Sequence, residues 1–305
     1  MIEIVGLRKE YEEFTAVDGL DFSVNKGEIF GIVGPNGAGK TTTLKMISGL
    51  IRPSAGTITI NGLDIEEEPV KIKSFLGFLP EESPLYESMM VDDYLMFFAE
   101  LYSVDKKSAK KRINGLLSDL SLNSEGKKIG DLSKGMRRKV AIARSLINNP
   151  DVLIYDEPAS GLDPMTSKYI TDYIASLKET GKTILFSAHN LYQVESMCDR
   201  ILIMNDGKII TLGTMDEIRK EFGHTSYHVE FTVDDVSDFT AANIEKADGH
   251  YVITTDNIDV VNVTTKWVAS KGGDIIEMRT IEPTLEDIFL ELMGFESGKR
   301  VYSGE

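Results

Sequence analysis

The segment Gly34-Pro35-Asn36-Gly37-Ala38-Gly39-Lys40-Thr41 constrains this chain more than any other stretch. Its crowded glycines exclude a regular helix or strand there, because glycine is costly in both. The run before it, Glu28 to Val33, is β-prone, and Lys40 to Leu50 carries Leu44, Ile47 and Leu50 at helical spacing. A strand, a glycine-rich turn and a helix together present backbone N–H groups and a positive helix end to an anion. The spacing Gly-x4-Gly-Lys-Thr is that of a phosphate-binding loop. In such a loop Lys40 neutralises β- and γ-phosphates, Thr41 offers its hydroxyl to Mg2+, and Thr42 adds a phosphate hydrogen bond.

A second element lies 116 residues beyond Lys40, where the apolar run Val152-Leu153-Ile154-Tyr155 ends in Asp156 and Glu157. An acidic turn after a strand is ordinary by itself. Beside a phosphate loop it acquires chemistry, since ligands of parallel sheets bind at the carboxyl ends of strands. Asp156 is expected to hold Mg2+ directly or through water. Glu157 is placed to act as general base on the attacking water.

Further apolar runs at Thr183–Phe186 and Ile201–Met204 alternate with helical patterns at Met165–Lys178 and Leu191–Cys198. That alternation predicts a parallel sheet with covering helices. Asn61-Gly62 and Asn205-Asp206-Gly207 mark hairpins. Residues 80–147 read as mostly helical, including Asp92–Tyr102, amphipathic Lys106–Leu120, and a helix capped by Ser133. After residue 224 the pattern restarts. Strands are expected at Tyr227–Val233, Tyr251–Thr255 and Asp274–Ile281, and helices near Asn257–Lys271 and after Pro283, a residue suited to a first helical turn.

Charge follows the same division. The chain carries 33 basic and 49 acidic residues, net −16, and His224–Glu305 alone holds 16 acids against 6 bases, net −10. A chain this acidic is a poor candidate for sequence-independent nucleic-acid binding, so no nucleic acid is expected as a partner. The single cysteine, Cys198, excludes a disulfide framework or a cysteine zinc site. No run approaches the ~18 apolar residues of a membrane span, and the first ten residues lack a signal-peptide core. The chain is therefore expected in the cytoplasm. The domains are expected at 1–223, with a helical subdomain at about 80–147, and at 224–305, a small acidic α+β unit.

Around these elements stand further motifs. Leu132-Ser133-Lys134-Gly135-Met136 resembles the ABC signature Leu-Ser-Gly-Gly-Gln, with Ser133 lying 23 residues before Asp156. Ser160-Gly161-Leu162-Asp163 resembles the D-loop, Ser187-Ala188-His189 the switch-histidine segment, and Tyr11 the aromatic that stacks on adenine. In order and spacing the chain resembles the ATP-binding subunits of ABC transporters over roughly its first 220 residues. The implied fold is α/β: a P-loop ATPase core with an antiparallel β subdomain and a helical subdomain, followed here by the small C-terminal domain.

The resemblance implies two cofactors, ATP and Mg2+, and a dimer. Gly34, Pro35, Asn36, Gly37, Ala38, Gly39, Lys40, Thr41, Thr42 and Tyr11 would bind one ATP. Ser133, Lys134, Gly135 and Met136 would meet the ATP of a second, identical or related ATP-binding subunit. His189 would contact the γ-phosphate and align Glu157; Asp163 would couple the two sites, or cap a helix before Pro164, or both. At the family's Q-loop glutamine stands Glu81, whose oxygen can join Thr41 and Asp156 as a metal ligand while adding negative charge. Lys134 and Met136 also depart from the pattern, and Lys134 either adds positive charge at the interface or faces solvent. The surface beside the Q-loop would receive a polytopic membrane permease subunit, with Tyr86 an exposed contact, holding the chain peripherally on the inner face of the cell membrane. The close Glu282-Pro283-Thr284-Leu285-Glu286-Asp287-Ile288-Phe289 resembles that of export-type ATPases, including multidrug and sodium exporters. The alternative is a soluble ABC ATPase, or an ATP-binding switch, acting on a non-membrane partner.

Overall fold

The computed structural model describes residues 1–247 and 249–294. The chain divides into two compact units, Met1–Met215 and Asp216 onward. The acidic shift near residue 224 thus falls inside the second unit.

In chain order the first unit contains β1 (Ile2–Tyr11), β2 (Phe14–Val24), β3 (Ile29–Val33), α1 (Lys40–Ile47), β4 (Ala55–Ile60), β5 (Leu63–Asp64), α2 (Pro69–Ser74), β6 (Leu76–Leu79), α3 (Val91–Leu101), α4 (Lys106–Asp119), α5 (Lys134–Ser145), β7 (Val152–Asp156), α6 (Pro164–Ser176), β8 (Thr183–Ser187), α7 (Leu191–Met197), β9 (Arg200–Asn205) and β10 (Lys208–Gly213). A four-stranded antiparallel sheet runs β2-β1-β4-β5, and a six-stranded sheet runs β10-β9-β3-β8-β7-β6. The latter is parallel except for β10, which returns beside β9 through the Asp206-Gly207 turn.

The reason is legible in the side chains. β3, β7 and β8 are buried at every position, as strands covered on both faces must be. One core joins Ile2, Ile4, Leu20 and Phe22 of the antiparallel sheet to Phe30, Ile32, Ile154 and Leu185 of the parallel one, with Leu44 and Ile47 of α1 among them. The fold class matches expectation. Helices α3, α4 and α5 pack together. Arg112 of α4 donates to the Ile147 carbonyl (2.7 Å), and Arg144 of α5 to the Tyr94 hydroxyl (3.0 Å).

Boundaries shift where local chemistry intervenes. α1 stops at Ile47 rather than Leu50, because Ser48 is its C-cap and Gly49 follows at φ +66°. The expected helix Met165–Lys178 breaks into α6 and a 3-10 turn, Leu177–Thr180, closed by left-handed Gly181.

α8 (Met215–Phe222) begins at the boundary residue, and the second unit continues with β11 (Ser226–Thr232), β12 (Glu245–Ala247), β13 (His250–Thr255), α9 (Ile258–Ser270), β14 (Asp274–Ile281) and α10 (Leu285–Leu292). Its antiparallel sheet runs β12-β13-β11-β14. Val229, Phe231 and Ile253 of the sheet pack with Val261 and Val268 of α9. The last helix does follow Pro283, but the proline is not in its first turn. Thr284 is the N-cap, in a reciprocal capping box with Asp287, so the proline lies one residue outside.

Candidate active site

Four adjacent parallel strands end at one edge of the sheet, and each delivers part of the site. β3 runs into the glycine loop, β8 into Ala188-His189, β7 into Glu157, and β6 into Pro80-Glu81.

The loop's shape depends on its glycines. Gly39 sits at φ +99°, and a Cβ there would lie 2.5 Å from the Ala16 carbonyl oxygen. Only glycine meets both conditions without strain. The loop turns directly into α1, whose first residue is Lys40. The buried Lys40 ammonium donates to the carbonyls of Gly34 (2.6 Å) and Pro35 (3.1 Å). Burial lowers its pKa, opposed by the charges of Glu157, Asp156 and Glu81. Those three carboxylates therefore share one neighbourhood with the loop. Thr41 and Thr42 are half-buried at the start of α1, while Asn36 and Gly37 are exposed at the loop's crest.

Asp156 and Glu157 are both buried. Ser187, paired in register with Asp156 across β7 and β8, donates its hydroxyl to Asp156 Oδ1 at 2.6 Å. The same Oγ accepts the Glu157 N–H at 3.1 Å, and the Ser187 carbonyl accepts it at 3.2 Å. Glu157 itself is held at φ +48°, a conformation rare for a residue with a Cβ. Its Oε2 accepts the His189 N–H (3.2 Å), and its Oε1 lies 3.3 Å from His189 Nε2. The second contact has ion-pair distance without hydrogen-bond alignment, so Oε1 keeps no hydrogen-bond partner. Burial raises the Glu157 pKa, and the facing His189 and Lys40 oppose that rise. A carboxylate made more basic than usual, with a free oxygen beside a phosphate loop, suits proton abstraction.

Ser133, Lys134, Gly135, Met136 and Asp163 gather elsewhere, where the N-termini of α5 and α6 meet. Ser133 Oγ accepts the Met136 N–H (3.3 Å), and Asp163 Oδ1 the Thr166 N–H (2.9 Å), so each caps its helix. The latter bond holds the Asp163 carboxyl below the usual range. Gly135 packs against the Thr166 methyl, and the exposed Lys134 ammonium rests on Gly161. Tyr11 is at the tip of the β1–β2 hairpin, 44% exposed and stacked on Phe14 with ring centroids 5.3 Å apart.

Three residues escaped sequence reasoning. In the sequence Ser187 is only the first residue of a motif; its register opposite Asp156 makes it the link between the two acids. Phe14 faces Tyr11 across the hairpin. Arg138 of α5 is buried, and all of its hydrogen bonds go to loops of the site. Nε donates to Pro158 O (2.7 Å), Nη2 to Asp156 O (3.2 Å) and Glu157 O (2.8 Å). Nη1 donates to Pro80 O (2.8 Å), Glu81 O (2.9 Å) and Ser83 Oγ (3.1 Å). The sequence did carry a signal: Arg138 lies on one helical stripe with buried Ile142 and Ser145.

Comparison with known proteins places this geometry in a family. The "ABC transporter" family model matches residues 17–160, and the model "ATP-binding protein DrrA1-3-like, C-terminal domain" matches 213–293. The linearmycin resistance ATP-binding protein LnrL of Bacillus subtilis is 34% identical over 307 residues, covering 96% of this chain and 98% of its own. The Nod factor export ATP-binding protein I of Ralstonia nicotianae is 40% identical over 219 residues, covering 72% and 68%. Among solved structures, a dimeric post-hydrolysis state of the cassette MJ0796, bound to ADP and Pi, aligns with TM-score 0.65 and 26% identity, over 70% of this chain and 99% of that one. The chain belongs to the ATP-binding subunits of ABC transporters and is an ATPase.

Proposed function

We propose that this ATPase powers an export-type transporter, hydrolysing ATP held between its own phosphate loop and the signature segment of a second ATP-binding subunit. The observation that carries the reading is that the site residues form two distinct groups of contacts on one chain. Lys40, Asp156, Glu157 and His189 gather at the sheet edge, while Ser133–Met136 packs on the D-loop helix. A nucleotide needing both sets would recruit the second from another copy or a related subunit.

In this reading Gly34–Thr42 cradle the phosphates, Lys40 offsets their charge, and the Tyr11–Phe14 pair stacks on the base. Glu157 takes a proton from water as its oxygen attacks the γ-phosphorus and ADP departs; His189 holds the Glu157 carboxylate and the phosphate in line. The donors Thr41, Asp156 and Glu81 fit Mg2+. They are hard oxygens, and among the described residues no cluster of three or more His, Cys, Asp or Glu would hold a metal unaided. Magnesium sites of this kind use one or two carboxylates and are completed by phosphate oxygens and water. When bound, the ion offsets phosphate charge in the transition state.

No helix among the described residues is long and apolar enough to cross a membrane; in this reading the membrane path belongs to a separate permease subunit. A cleft with Leu50, Leu76, Phe78, Phe98 and Tyr102 on its walls and Lys73 and Arg144 among them supports such docking, offering apolar surface and cations to a partner segment. Tyr86 is 56% exposed and packs edge-on to Tyr94 and Phe97, available as a rim contact. The chain would then sit in the cytoplasm against the inner membrane face. Export rests on the names of relatives such as the Nod factor exporter.

Affinity purification from gently solubilised membranes of the source, followed by mass spectrometry, tests this. A polytopic membrane protein should co-purify at comparable stoichiometry. Recovery of soluble partners alone, across several detergents, would replace the transporter reading with that of a soluble ATPase or ATP switch.

A further inference from the structure

We infer that Arg138 is a positioning residue for ATP hydrolysis, locking the signature helix to both the Glu81 loop and the Glu157 turn. Its guanidinium reaches five backbone carbonyls and one hydroxyl on two separate segments, Pro80–Ser83 and Asp156–Pro158. None of its partners is a carboxylate side chain. A buried arginine used only for stability is poorly explained by that set, since packed apolar residues of similar volume often serve as well. What the set does achieve is geometric. The planar fork, with five N–H donors in fixed directions, fixes the relative position of the carbonyls that flank the reactive carboxylates. Glu157 most needs such support, because its φ of +48° persists only if the surroundings enforce it. Arg138 donates to the carbonyl of that same residue at 2.8 Å.

The position along α5 adds a second consequence. Arg138 lies one helical turn beyond Lys134. A displacement of the signature segment would pass through that turn, as a rigid unit, to Glu81 and Glu157. In the two-subunit arrangement proposed above, on which this step rests, the signature faces one nucleotide and Glu157 the other. Arg138 then links the two ATP sites within one chain.

The test compares full-length Arg138→Met and Arg138→Lys with the unaltered chain in ATP hydrolysis, binding of a fluorescent ATP analogue, and amide hydrogen exchange. Binding should stay within about threefold, because the phosphate loop is untouched. The kcat should fall between about tenfold and a hundredfold, the scale of an ångström-level misplacement, with KM little changed and cooperativity in ATP reduced. Lysine should rescue by less than about threefold, since one ammonium cannot span both segments. Exchange should quicken at residues 81–83 and at Glu157 ahead of the strands β6 and β7, a readout independent of turnover. Hydrolysis in Arg138→Met within twofold of the unaltered chain, or full rescue by lysine, would overturn the inference. So would loss of nucleotide binding in both variants, which would reduce Arg138 to a folding role. Failure of the two-subunit reading looks different: the unaltered chain would itself hydrolyse without cooperativity, while the exchange difference between the loops persisted.

Discussion

Replacing Ser187 by alanine deletes one oxygen from the most enclosed part of the site, and its cost can be worked from the contacts. Ser187 Oγ donates to Asp156 Oδ1 at 2.6 Å, with both residues at most 1% exposed. A hydrogen bond to a charged group contributes about 1.5–3 kcal/mol. The same oxygen accepts the Glu157 N–H, but that N–H keeps the Ser187 carbonyl at 3.2 Å. Its partial loss adds only about 0.5–1 kcal/mol. Together they give a destabilisation of roughly 2–4 kcal/mol. For a unit of this size each kcal/mol shifts the melting temperature by about 2–4 °C, so calorimetry of the full chain should show a drop of roughly 5–15 °C. Hydrolysis should fall by about tenfold, since both acids lose a common anchor and a small misplacement is expensive. A variant that melts within a degree of the unaltered chain and hydrolyses at its rate would refute the bridging role assigned to this hydroxyl.

Glu157→Gln should lower hydrolysis by about 10²–10⁴-fold, the usual contribution of a general base, while nucleotide binding persists. The same variant tests burial: the folded-state pKa of Glu157 is raised, so its stabilising contribution is present below the unfolded carboxylate pKa and lost as pH rises through the folded one. Glu157→Gln should therefore melt higher than the unaltered chain at neutral pH, and the gain should shrink on acidification; the opposite trend in a melting series would contradict the burial argument. Gly39→Val combines a φ of +99° with a collision against the Ala16 carbonyl and should abolish nucleotide binding in equilibrium dialysis, whereas binding within threefold of normal would show that the loop can reshape. Tyr11→Ala should weaken ATP binding by at least about fivefold, the lower end of base–aromatic stacking, and leave pyrophosphate binding unchanged; equal losses for both ligands would remove the ring from the base site.

What the sequence disclosed and what it hid divide along the range of the interactions. The phosphate loop is legible because its constraints are local: glycines, lysine and threonine all act within eight residues. Asp156 and Glu157 are legible because a fully apolar strand announces where it ends. The caps at Ser133 and Asp163 were likewise local. Ser187 and Arg138 work through partners 18 to 58 residues away, and only the strand order brings those partners together. Arg138 was hidden further by its setting in Met136-Arg137-Arg138-Lys139, which reads as a solvated basic face; burial of the middle cation is a tertiary fact. The left-handed turn at Glu157 runs against residue preference and could not be read from type. Pro283 misled because proline is favoured both inside a first helical turn and just before a cap, and Thr284 with Asp287 decided for the second.

Burial is the common cause behind the site's chemistry, and it acts on opposite charges in opposite senses. It raises Glu157 towards a useful basicity and lowers Lys40 from the usual ammonium range. Arg138, also buried, is brought down to about 10. Each group is restrained by the others. Lys40 opposes the rise at Glu157, and Glu157, Asp156 and Glu81 oppose the fall at Lys40. None of the three carboxylates is therefore spectator charge, and Glu81, where the family pattern has glutamine, contributes to holding both buried cations protonated. Drawing an acid up and a base down by enclosure brings both closer to neutrality, which is how proteins prepare groups for proton transfer there. Here the enclosure comes from the parallel sheet itself: strands covered on both faces bring Asp156, Glu157 and Ser187 to that edge buried, while Glu81 and His189 beyond them stay exposed.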